Sequence, residues 1–171
     1  MAESGTLGLR RRYGGSALIT GAARGIGKAF AEYLGADGFD LVLVDREEEE
    51  LRALAKSLHD EHGVEARALP CDLTEPMLAE RAQRWAADYD VGLLVNNAGI
   101  SPLDPFFDIS LETHLETLDV NCRATLVLTH TFGRAMVARG RGGIIIVSSA
   151  SALSGSAYFC QYAATKGYGL N

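Results

Sequence analysis

The chain has 171 residues, 47% of them apolar, which is enough material for the core of one compact domain. Its 22 acidic against 16 basic side chains exclude a surface built to coat nucleic acid, since phosphate binding needs clustered lysine and arginine. No stretch approaches the ~20 uninterrupted apolar residues of a membrane span, and Cys71, Cys122 and Cys160 form no CxxC pair, which argues against a disulfide framework or a zinc site.

Residues 1–15 are Gly-rich, lack the apolar run of a secretory leader and read as a flexible tail, so the expected setting is the reducing cytoplasm. Beyond them, short β-branched or leucine-rich runs alternate with longer stretches of helical period, the arrangement of an α/β domain whose parallel sheet is covered by crossover helices. Strands are expected at 17–20, 40–45, 66–71, 92–96 and 143–148, most of them apolar on both faces, as a strand between two helix layers must be. Helices are expected over 25–36, 47–62, 75–87 and 111–139, with a last one from about Phe159 onward. The second opens on a run of glutamates at the positive end of its dipole, and Gly63 follows as a stop. Right-handed crossovers put the first strand at the centre of the sheet. No repeat or linker interrupts 16–171, which reads as a single domain.

The first strand runs into TGAARGIG at 20–27, and a helix opens there. Gly21 permits the tight turn, Gly25 lets backbone approach a pyrophosphate, Ile26 lies between, and Gly27 allows the helix to pack on the strand, as in a Rossmann-type, doubly wound dinucleotide site. Asp45 ends the second strand 18 residues past Gly27, close to the offset of ~20 at which a carboxylate meets the adenosine ribose. That favours NAD(H). Arg24 and Arg46 are cations of the kind that hold a 2′-phosphate, so NADP(H) stays open, while Arg46 also reads as a solvated start to the acidic helix. Asp72 falls where an adenine edge would lie or where the next helix would be capped. Asn96-Asn97-Ala98-Gly99 closes the fourth strand with small residues that leave room for a cofactor, although a plain turn would use the same residue types.

Tyr162 and Lys166 stand four residues apart on the last helix and so share a face. A phenol titrates near ~10 and serves as an acid/base at neutral pH only when a neighbouring cation stabilises its phenolate. Lys166 is one of only three lysines in the chain. His59 and His62 sit at i and i+3 without further ligands nearby, and no metal is called for.

TGAARGIG, Asp72, NNAG, Asn121, Ser149 and YAATK, all in order, resemble the short-chain dehydrogenase/reductase family in its single-domain branch, from Ser16 to the last residue. The resemblance implies Tyr162 as acid/base and Lys166 as its activator, both also touching the cofactor. It further implies Ser149 as the carbonyl partner, 13 residues before Tyr162, and Asn121 as part of a proton relay, where the residues alone also allow a surface or bend-forming amide. It implies hydride transfer between a nicotinamide cofactor and a secondary alcohol or ketone, and homo-oligomers paired through the helix over 111–139 and the one after it.

Members of that branch run to about 250 residues, so the resemblance is to a C-terminally truncated form lacking the last strands. The fifth strand, Ile144-Ile145-Ile146-Val147, would then be an uncovered apolar edge prone to association. A second reading is a catalytically silent nucleotide-binding or interaction module.

Overall fold

In the computed structural model, which describes residues 8–155 and 157–170, five parallel strands form one sheet in the order β3-β2-β1-β4-β5. They are β1 (Ser16–Thr20), β2 (Asp40–Asp45), β3 (Ala66–Pro70), β4 (Val91–Asn96) and β5 (Gly143–Ile146). Alternating side chains of the three inner strands feed two cores. Ala17, Ile19, Leu41, Leu43, Leu93 and Val95 pack under α2 (Gly25–Ala36) and α3 (Glu48–His62). Leu18, Val42, Val44 and Leu94 pack under α4 (Leu78–Asp88) and α6 (Ala124–Ala138). Burial on both faces explains why these strands read as continuous apolar runs.

The central place of β1 makes the topology reverse between β1 and β4, and the crevice at their carboxyl ends is where an open α/β sheet binds its ligands. Among the described residues β3 and β5 are the two outer strands, and on β5 Ile144 and Ile146 are exposed.

Three expectations need correction. Of the stretch read as a flexible tail, residues 1–7 lie outside the described residues, but Leu9–Tyr13 is a short helix, α1. The Asp37 carboxylate accepts from Gly8 N at 3.2 Å and Arg10 N at 2.8 Å, the Arg141 side chain donates to the carbonyls of Arg11 and Arg12, and Leu9 and Tyr13 rest on the core. The helix expected over 75–87 starts later, at Leu78, because a turn at Asp72–Glu75 precedes it. The helix expected over 111–139 is divided into α5 (Leu111–Leu118), a π-turn (Asp119–Arg123) and α6. The last helix, α7, spans Cys160–Tyr168.

Candidate active site

A cleft of about 460 Å³ lies at the carboxyl ends of the strands, lined by Gly21, Arg24, Ile26, Asp45, Arg46, Asp72, Asn97, Ala98 and Gly99, and also by Cys71, Leu73, Ile100 and Val120. The turn at its floor tolerates little but glycine. Gly21 has φ +63° and its missing Cβ would stand 2.9 Å from Ala98 Cα; a Cβ on Gly27 would fall 2.0 Å from the Gly21 carbonyl oxygen. Gly25, also at positive φ, has open space where its Cβ would be, and no side chain caps the start of α2. The result is a helix N-terminus facing an unfilled hollow, which fits the diphosphate of a dinucleotide.

The neighbouring polar groups brace this floor. Thr20 Oγ1 accepts from the backbone N–H of Asn97 at 3.0 Å and of Ala98 at 3.1 Å, and Asn97 Nδ2 donates to the carbonyls of Thr20 and Gly21. The amide of Asn97 therefore ties β4 to the glycine turn. Asp45 accepts from Ala23 N at 2.9 Å and from Glu47 N at 3.2 Å, which sets its carboxylate at the tip of β2. Asp72 accepts from both the N–H and the hydroxyl of Thr74 at 2.8 Å. These bonds, with a smaller contribution from the Arg46 charge, hold its carboxyl below the usual range. It closes a turn and does not cap α4.

At the other end, α7 brings Tyr162 and Lys166 onto one face, with Lys166 Nζ 5.7 Å from the centre of the Tyr162 ring. Lys166 is only 8% exposed, and burial lowers its amine below the ordinary lysine range. Its Nζ donates to the Val147 carbonyl at 2.8 Å, and a Cβ on Gly99 would stand 3.1 Å from that nitrogen. Gly99 thus makes room for the ammonium. Ser149 follows β5, and its Oγ accepts from Ser151 N at 3.2 Å and from Ser151 Oγ at 2.8 Å. With both lone pairs occupied, its own hydroxyl hydrogen is left to donate.

Asn121, in the π-turn, accepts through Oδ1 from Ile100 N and donates through Nδ2 to the Ile100 carbonyl and to Thr165 Oγ1, all within 3.0 Å. Its side chain joins the loop after β4 to α7, while its carbonyl accepts from Thr125 Oγ1. Thr20, Thr165 and Ser148, whose hydroxyl donates to the Lys166 carbonyl at 2.7 Å, were not legible as site residues. Single hydroxyls in apolar segments carry no signal until their partners are known. Gly25 and Gly27 shape the cleft without lining it, and Tyr162, Lys166 and Ser149 lie beyond its walls.

A profile described as short chain dehydrogenase matches residues 16–170, and the chain belongs to that family of oxidoreductases. The 7β-hydroxysteroid dehydrogenase of Collinsella aerofaciens is 34% identical over 162 residues, 95% of this chain and 62% of the relative. The human inactive hydroxysteroid dehydrogenase-like protein 1 is 34% identical over 94% of this chain and 49% of its own. Among solved structures, the short-chain dehydrogenase from Sphingobium yanoikuyae in complex with NADPH superposes with a TM-score of 0.87 at 36% identity, over 91% of this chain and 61% of that one. The chain therefore spans about half to three fifths of the length of these relatives. Among the described residues no helix is long and apolar enough to cross a membrane.

Proposed function

We propose that this chain forms the cofactor-binding and proton-transfer part of an enzyme that moves a hydride between a nicotinamide dinucleotide and a secondary alcohol or ketone. The observation that carries the reading is the buried Lys166 amine set against the Tyr162 ring, at the end of the sheet that also holds the glycine hollow. Gly21, Gly25, Gly27, Asp45, Asp72 and the 97–99 segment would hold the dinucleotide, which when bound supplies or accepts the hydride at carbon.

The residues of the chain account for the proton. In the reducing direction negative charge grows on the carbonyl oxygen, the Ser149 hydroxyl donates a hydrogen bond to it, and the Tyr162 hydroxyl delivers the proton that completes the alcohol. The Lys166 ammonium stabilises the phenolate left behind, and its location in a low-dielectric site strengthens that effect. Asn121 keeps Ile100 and α7 in register beneath this pair, and through that bracing serves the proton relay to Lys166. In the oxidising direction each step reverses.

The Asp45 carboxylate, fixed by two backbone N–H groups, favours NAD(H) by accepting from the ribose hydroxyls and repelling a 2′-phosphate. We further read the protein as a cytoplasmic homo-oligomer, a reading supported by its three free cysteines and by the exposed Leu111, Leu115, Leu118, Leu126 and Val137 on α5 and α6.

Nicotinamide absorbance against a panel of steroid, acyl, polyol and simple ketones tests the proposal. Tyr162→Phe should lower turnover by at least ~10²-fold while leaving dinucleotide affinity within about twofold. A catalytically silent module would bind the dinucleotide and turn over none of the panel.

A further inference from the structure

We propose that Glu47 sets the cofactor preference of this site by occupying the two arginines that would otherwise take a 2′-phosphate. The inference rests on the dinucleotide reading above and assigns a role to a residue outside the cleft lining. Arg24 and Arg46 both line the cleft beside Asp45. Glu47 Oε1 pairs with Arg24 Nη2 at 2.6 Å and with Arg46 Nε at 3.6 Å. One carboxylate oxygen is thus shared between two guanidinium groups that arrive from different elements, the glycine turn and the tip of β2.

A phosphate monoester dianion is recognised by planar guanidinium N–H donors, and Glu47 competes for them from within the chain by a hydrogen bond to Arg24 and a looser ion pair with Arg46. It also tips the balance of local charge from neutral to negative. The two guanidinium groups at this corner face three carboxylates, Asp45, Asp72 and Glu47, and removing Glu47 leaves the cations and carboxylates equal in number. An NAD(H) ribose is uncharged at that position and is indifferent to the change, whereas a dianion is not.

Glu47 is suited to substitution because its side chain is partly exposed and makes no capping hydrogen bond to α3, so Glu47→Gln keeps the helix start intact. Isothermal titration calorimetry with NAD⁺ and NADP⁺ at low ionic strength tests the proposal. Glu47→Gln should tighten NADP⁺ about tenfold, the size of one charge acting on a nearby dianion in water, and leave NAD⁺ within about twofold. Adding Arg24→Ala to Glu47→Gln should remove most of that gain. An unchanged NADP⁺ affinity, an equal tightening of both dinucleotides, or a gain that survives loss of Arg24 would overturn the role of Glu47 while leaving the site itself standing. A wild-type chain that binds neither dinucleotide would instead overturn the site, and the selectivity device with it.

Discussion

Lys166 illustrates how one side chain carries opposed requirements. Burial disfavours its charged form, yet the proposed chemistry needs an ammonium beside the phenol. The hydrogen bond to the Val147 carbonyl and the gap left by Gly99 moderate that conflict by giving the charged head a partner and space. The conflict has a measurable sign. Between the lowered folded value and the ordinary one, the unfolded chain binds a proton that the folded chain has released. The contribution of this lysine is therefore least favourable near neutrality and improves as pH rises toward the lysine range. Cys71, pushed up to about 11 by burial, acts in the opposite direction, so a comparison of variants is needed. Urea unfolding of wild type and Lys166→Met from about pH 7 to pH 10 should show the difference in stability shifting toward wild type with rising pH. A difference independent of pH would mean that the amine is not desolvated.

Among the elements, the π-turn at Asp119–Arg123 does the most to assemble the site. A helix that ran unbroken from Leu111 would hold its backbone groups in register; the extra residue in this turn sets Asn121 toward Ile100 and Thr165. Arg123, in the same turn, pairs with Asp119 and donates to the carbonyls of Leu73 and Glu75, so the turn also steadies the loop after β3. Asn121→Ala removes three hydrogen bonds and takes the amide partner from the half-buried backbone groups of Ile100, which should cost about 1–3 kcal/mol of stability by chemical denaturation. A loss of less than about 0.5 kcal/mol would show the amide to be dispensable for packing. The glycine turn works by the reverse logic, since it depends on side chains that are missing: Gly21 and Gly27 let the chain close on itself and the hollow at α2 stays open.

At the scale of the described residues together, the sheet has a well-covered centre and, at β5, an apolar edge. β1, β2 and β4 are sealed between two helix layers, whereas β5 exposes Ile144 and Ile146. An apolar outer strand is a template for pairing with another chain, and the exposed leucines of α5 and α6 add apolar surface. Light scattering on the 171-residue chain should report self-association at micromolar concentration, and Ile144→Lys, which puts a charge on this edge strand, should reduce the measured mass. An assembly untouched by that change would place the contact elsewhere, on the helices.

Local pattern was enough to reveal the α/β class, the five strands and the central position of β1. Runs such as Leu41-Val42-Leu43-Val44 must be buried on both faces, and right-handed crossovers admit few orders. The glycine spacing and the Tyr162 to Lys166 interval were likewise legible, because a tight turn and a helical repeat are short-range constraints. What distance in the chain concealed is the set of partners. Asp37 organises α1 from 29 and 27 residues away, Thr20 meets Asn97 across 77, and Asn121 reaches Thr165 across 44. Glu47 meets Arg24 across 23. Such pairings are selected by the packing of whole elements against one another, and a hydroxyl, an amide or a carboxylate carries no local mark of which distant group it will satisfy.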